Sequence, residues 1–569
     1  MASVPYRSLR RSSPLLGGLI FLVACGATRA PAPGANLSGS TTTEATKAAV
    51  GGPVLDDRLE QEVAQAPMEA KRKSQVVGER DQAAPVVVAS GTYAAPATEG
   101  NTESYDHLEE NGFTSVKNAP LSTFSIDVDT ASYSNVRRFL AQETRPPAGA
   151  VRIEELVNYF DYDYPAPRGD EPFAVYTEVG PAPWRTEHQL LHIGLQGRRI
   201  ATADLPARNL VFLIDVSGSM DDPNKLPLLK RSFAALLSTL GEKDSVSMVV
   251  YAGASGLVLP PTPGNRQAEI LGALDRLSAG GSTNGGQGIE LAYAAARASF
   301  KKGGVNRVIL ATDGDFNIGT TSESELVRLI EKKRESGVFL TVLGFGMGNY
   351  KDSNLEKLAD HGNGNYAYID SYDEARKVLV EEGGANLVTI AQDVKIQVEM
   401  NPAYVGAYRL IGYENRRLTA EDFADDEKDA GDIGAGHTVT ALYELLTPEQ
   451  AARELKADDL RYQTPRAAQG KSTELCTVNL RFKKPLGATS QLAVFPVQSR
   501  TTSLSGTSES FRFSAAVAGF GMLLRNSEFK GTASYALVGE LAQNSLGRDA
   551  GGYRHEFLSL VGKARGVAR

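Results

Sequence analysis

Asp215, Ser217 and Ser219 stand at alternate positions where an apolar run gives out, in Asn209-Leu-Val-Phe-Leu-Ile-Asp-Val-Ser-Gly-Ser219. Carboxylate and hydroxyl oxygens are hard ligands. They suit a small divalent cation such as Mg2+, which asks for near-octahedral oxygen coordination with few carboxylates and some retained water. Gly218 lets the loop turn tightly, but one loop supplies only part of such a shell. Two other stretches carry the right residue types: Gly280-Gly-Ser-Thr283-Asn-Gly, and a second apolar run ending on an acid, Val308-Ile-Leu-Ala-Thr-Asp313-Gly-Asp315. Taken singly, each has an ordinary structural explanation. An Asp at a strand end commonly forms a turn, and Ser282-Thr283 is well placed to cap the following helix. Asp315 reads as the bystander of its loop.

The elements that must position these residues alternate regularly. Apolar runs at Asn209 to Ile214, Ser245 to Tyr251, Val305 to Ala311, Val338 to Phe345 and Asn365 to Ile369 read as strands. Amphipathic segments at Lys225 to Leu240, Arg266 to Leu277, Gln287 to Phe300, Glu323 to Glu335, Asn354 to Ala359 and Glu374 to Glu382 read as helices. That order predicts an α/β fold with a central doubly wound, mostly parallel sheet over residues 206–382. Such sheets gather ligands beyond the carboxyl ends of their strands. Asp215, Ser217, Ser219, Thr283 and Asp313 are thereby expected along one edge.

Flanking regions read differently. Residues 105–205 suggest a small mixed α/β domain, with strands at Leu121 to Val128, Phe173 to Val179 and Leu190 to Leu195 and helices at Ser132 to Glu143 and Val151 to Phe160. Its Ser125, Asp127, Asp129, Thr130 and Ser132 echo the acid-hydroxyl loop, yet Asp and Ser before a helix ordinarily serve as N-caps. Residues 383–569 predict a β-rich domain with a helical tail; Cys476, in the strand-like run Leu475 to Phe482, reads as a small buried hydrophobe.

At the N-terminus, Arg7, Arg10 and Arg11 precede an apolar run, Leu15 to Ala24, too short for a permanent membrane span. Residues 1–24 are thus expected to be a secretory signal. Leu22-Val-Ala-Cys25-Gly26 resembles a bacterial lipobox, which implies lipidation of Cys25, and Gly26 resembles the sorting signal for the Gram-negative outer membrane, facing the periplasm. Residues 25–104, rich in Ala, Thr, Pro and Gly, predict a disordered tether with an r.m.s. span of roughly 50 Å. With Cys25 lipidated, Cys476 has no disulfide partner. A net charge of -8 and a pI near 5.6, without any Lys/Arg block, exclude a nucleic-acid surface.

The three segments Asp215-Val-Ser217-Gly-Ser219, Thr283 and Asp313 together resemble the metal-ion-dependent adhesion site (MIDAS) of von Willebrand factor A (VWA) domains, Rossmann-like folds, with the resemblance covering about Pro206 to Glu382. It implies that Ser217, Ser219 and Thr283 ligate Mg2+, or another divalent cation such as Mn2+ or Ca2+, directly. It also implies that Asp215 and Asp313 hold coordinated waters or the metal itself, and that the open metal position accepts a carboxylate from a protein partner. Phe124-Ser-Ile-Asp-Val-Asp-Thr-Ala-Ser-Tyr133 and Arg152-Ile-Glu-Glu-Leu-Val-Asn-Tyr-Phe160 extend the resemblance to bacterial YfbK-like lipoproteins. The expected function is a membrane-anchored, extracytoplasmic binding protein. An assembly scaffold with a structural metal is one alternative; a metal-dependent hydrolase is another. Hydrolysis needs a general base, and none of the six histidines falls in the three loops, which leaves His361, on a later loop, as the candidate for the same rim.

Overall fold

The computed structural model describes residues 103–281, 285–314, 323–348, 350–383, 387–455, 473–485, 487 and 489–568. Cys25, the signal segment and nearly all of the expected tether fall outside these residues, as do Thr283 and Asp315. Glu103, the first of the described residues, pairs with Arg138, and Ser104 bridges to Lys351.

The central sheet has six strands in the order Tyr366–Ile369, Phe339–Phe345, Val305–Thr312, Arg208–Asp215, Ser245–Tyr251 and Ser255–Pro263. All neighbours run parallel except the last pair, which is antiparallel. This is the doubly wound α/β sheet expected. Its middle strand is apolar throughout because both faces are covered. Leu210, Phe212 and Ile214 enter one core with Leu229, Phe233 and Ile270, while Val211 and Leu213 enter the other with Ile289, Ala292 and Leu355. Ser255–Pro263 was not legible as a strand: its Pro-Pro-Thr-Pro ending reads as loop, and Pro is tolerated there because the strand is an edge. The expected helix Glu374 to Glu382 begins as Tyr372–Arg376 and widens into a π-helical turn, Lys377–Glu381.

The two flanks are interleaved rather than successive. Strands from both build a five-stranded antiparallel sheet in the order Thr114–Ser115, Ala407–Ile411, Thr438–Leu446, Arg185–Gly197 and Phe173–Ala182. A second sheet orders Arg417–Leu418, Leu121–Ser125, Thr389–Met400, Glu474–Lys483 and Ser490–Gln498, again mixing the flanks. The inner faces share one core, in which Leu191, Ile193 and Tyr443 meet Phe124, Ile396 and Leu480. Cys476 is buried in that core, and burial pushes its thiol up to about 12, as befits an inert hydrophobe. Trp184, Leu190 and Leu442 join a fourth core with helices Ala131–Ala141, Ile153–Asn158, Glu509–Arg525, Tyr535–Gln543 and Tyr553–Val567.

The central domain therefore enters the sandwich as an insertion. Its stems meet: the Arg198 carbonyl accepts from Gly436 N at 3.0 Å and the Val388 carbonyl accepts from Ala435 N at 2.9 Å.

Three arginines, Arg152 buried and Arg137 and Arg416 largely so, tie the insertion to its host. Arg416 donates to Asp129 at 3.2 Å in the flank and to Glu356 at 3.2 Å in the central domain, and also pairs with Asp360. Arg152 bridges Glu155 and Asp352, and Arg137 joins Glu556 to Asp370 and Glu374. Asp127 and Asp129 accordingly do not serve as caps: Thr130 precedes the helix with no side-chain cap, Asp127 Oδ1 accepts from Asp129 N, and Asp129 Oδ1 accepts from Tyr366 N at 2.8 Å. Tertiary ion pairing has overridden the local preference.

Candidate metal centre

The strand Arg208–Asp215 delivers Asp215 fully buried at its carboxyl end. In the parallel register Asp215 lies opposite Tyr251, and Ile214 opposite Ala311, so Thr312 and Asp313 emerge on the adjoining strand end. Asp215 Oδ1 accepts from Ser217 N at 2.9 Å, closing the turn; its Oδ2 accepts from Tyr251 Oη and from Thr312 Oγ1, each at 3.0 Å. Burial pushes the Asp215 carboxyl up to about 6, against the bonds from Ser217, with Asp313 adding a smaller push in the same direction.

Ser217 and Ser219 aim their hydroxyls together, 3.0 Å apart, with Ser217 buried and Ser219 exposed. The loop is pinned from two sides. Val216 N donates to the Tyr251 carbonyl at 3.0 Å, and the Gly280-Gly281 segment docks onto it, Gly280 N to Val216 O at 2.8 Å and Gly218 N to Gly281 O at 3.1 Å. Gly281 has φ +92°, a conformation that glycine adopts without strain. The chain that leads into Thr283 is thereby bonded to the Asp215 loop.

Asp313 is 1% exposed. Its Oδ2 accepts from Lys225 Nζ at 3.0 Å, and the same ammonium donates to the Ser219 carbonyl at 3.0 Å. Its Oδ1 is buried with no hydrogen-bond partner among the described residues. An unpartnered buried carboxylate oxygen is costly, and a cation or cation-bound water satisfies it. The donor set fits a hard divalent ion: two carboxylates, one of them with an orphan oxygen, and two convergent hydroxyls. It does not fit a soft or carboxylate-caged metal, since the described residues contain no cluster of three or more His, Cys, Asp or Glu.

Four of the five expected site residues, Asp215, Ser217, Ser219 and Asp313, thus gather at one sheet edge, and Thr283 lies outside the described residues. Sequence reasoning missed Lys225, Tyr251 and Thr312. Tyr251 and Thr312 each end a strand, which was a usable signal; Lys225 had none. His361 lies elsewhere. It is the last residue of helix Asp352–His361 rather than part of a loop, and the next residue, Gly362, accepts from Leu340 N at the start of Phe339–Phe345, so His361 stands toward the amino ends of the strands and pairs with Glu331.

This sheet and edge define a VWA domain, and residues 209–381 match the family described as von Willebrand factor type A domain. Residues 99–192 match a family described as von Willebrand factor, and residues 385–567 match the family described as YfbK, C-terminal. The chain belongs to the YfbK family: it is 46% identical over 476 residues to the Escherichia coli (strain K12) protein YfbK, covering 82% of each chain. The Synechocystis sp. protein sll0103 is 25% identical over 270 residues, 46% of this chain and 63% of that one. Among solved structures, the von Willebrand factor type A protein from Catenulispora acidiphila is 17% identical and aligns over 68% of this chain and 88% of its own, with a TM-score of 0.39.

Proposed function

We propose that the chain is a membrane-anchored, extracytoplasmic binding protein whose central domain holds Mg2+, or a related divalent cation, through Asp215, Ser217, Ser219, Thr283 and Asp313 and uses it to engage a carboxylate on a protein partner. The observation that carries this reading is the unpartnered, buried Oδ1 of Asp313 beside two convergent serine hydroxyls. Few direct carboxylates leave a bound dication under-neutralised and attractive to an incoming acid. Isothermal titration of Mn2+ into the wild type and the double variant Asp215→Ala, Ser217→Ala tests it. Binding by the wild type alone is expected, and unchanged binding by the double variant refutes the site.

Partner capture from envelope extracts, abolished by EDTA and restored by Mg2+, is the corresponding test for the carboxylate. Capture that ignores EDTA favours the scaffold reading instead. A hydrolase reading draws no support from His361, which stands away from the metal edge. For the anchor, Cys25→Ala is expected to abolish incorporation of radiolabelled palmitate and to release the protein from the outer-membrane fraction; persistent labelling sinks the lipobox assignment.

A further inference from the structure

Lys225 is 4% exposed, and the metal reading gives it no task. It stands just before helix Leu226–Leu237, and its stem runs beneath Gly346, which follows the strand Phe339–Phe345. Gly346 has φ +74°, and a Cβ there would collide with Lys225 Cγ, Cδ and Cε. A residue with no side chain is thus what leaves room for the lysine stem. At the end of that channel the ammonium meets Asp313 Oδ2 and the Ser219 carbonyl, each at 3.0 Å. Its other acidic neighbour, Asp222 at 3.7 Å, is largely solvent-exposed and counts for little.

We propose that Lys225 is a resident counter-cation that positions Asp313 and tunes the metal site, weakening its hold on the cation while strengthening the cation's hold on a partner's carboxylate. The inference rests on the metal reading above. Asp313 pairs with the ammonium and Asp215 lies close enough to Asp313 to feel its charge, so the two carboxylates and the one ammonium together carry a single net negative charge. A dication added to that group leaves one positive charge uncompensated, and a partner's carboxylate neutralises it. Without the ammonium the two carboxylates balance the dication and the incoming acid gains less. Lys225 also occupies Asp313 Oδ2, so that Oδ1 is the oxygen left for the cation's shell.

Lys225→Met keeps an unbranched stem to fill the channel and removes the ammonium, with its charge and both of its hydrogen bonds; Lys225→Gln removes the charge but retains a neutral N–H donor. Titration of Mn2+ is expected to show both variants binding about tenfold or more tightly than wild type, because a like charge within a few ångströms of the ion has been removed. Tightening is expected to be larger for Tb3+ than for Mn2+, since the repulsion scales with ionic charge. Acetate, read by its displacement of Mn2+-bound water in proton relaxation, is expected to bind the loaded variants more weakly than loaded wild type. A lysine that merely held the loop together would weaken both steps, and equal or weaker Mn2+ binding in the folded variants overturns the proposal. If the wild type binds no Mn2+, the metal reading itself fails; if it binds and neither variant tightens, only the role of Lys225 fails.

Discussion

Two carboxylates show how burial sorts function from stability residue by residue. Asp215 is buried but has three donors. Glu154 is equally buried and neither of its carboxylate oxygens has a partner; burial, then the nearby Glu414, pushes it up to about 7 from an ordinary 4.5. Its folded pKa is raised, so the native state binds more protons than the unfolded chain, and stability falls as pH rises from 4.5 to about 7. Glu154→Gln is therefore expected to gain on wild type across that window, to ~3 kcal/mol at neutral pH, in urea melts at pH 5 and pH 8. Thr283→Ala is expected to weaken Mn2+ binding about tenfold with no change in melting temperature, because a loop ligand contributes little packing. The stretches that carry Asp215 and Asp313 to one sheet edge were legible because each is a short strand-to-loop run whose spacing survives in one dimension. Lys225 was not, since its meaning depends on Asp313, 88 residues away, and on a glycine in a third segment.

Among the elements, helix Asp352–His361 carries the closest link between insertion and host. Its Asp352 pairs with Arg152 and its Glu356 and Asp360 with Arg416. Removing Arg416 leaves the buried Asp127 and Asp129, and the half-buried Asp360, without their counter-charge, a loss of ~3–5 kcal/mol. Arg416→Met is thus expected to shift the urea midpoint sharply at pH 8 and less at pH 5, where carboxyls already raised by burial, Asp360 to about 7, take up protons and need no partner. Strand and helix order in the central domain followed from periodicity because its pairing is regular and its faces are both buried. The acid cluster at Asp127 and Asp129 was misread as capping because local propensity is blind to an arginine nearly 300 residues on; its true partners stand 289 and 287 residues away.

For the whole molecule, the meeting of the stems at Ala435 and Gly436 makes the host separable from its insertion. Each of these arginines keeps a host partner when the central domain is gone: Arg416 keeps Asp129, Arg152 keeps Glu155 and Arg137 keeps Glu556. A chain with a short Gly-Ser loop in place of residues 199–387 is expected to be soluble and to melt in one transition, whereas a chain ending at residue 382 is expected to aggregate. Solubility of the truncated chain, judged by gel filtration, would contradict the interleaved host. Composition and period distinguished β-rich from α/β segments, but pairing between strands so far apart leaves no local trace.

That separation also sets a clock on synthesis. Gln196 bonds to Gly436, 240 residues later, and the hairpin Phe173–Ala182 with Arg185–Gly197 has no sheet partner until that region is made. At ~5–20 residues per second this is about 10–50 s, long enough for the insertion to fold first while the hairpin waits with a bare edge. Nascent chains stalled near residue 400 are expected to be cut by protease between residues 121 and 197 and protected between 208 and 369. The open edge of that hairpin closes only when Thr438–Leu446 has been made.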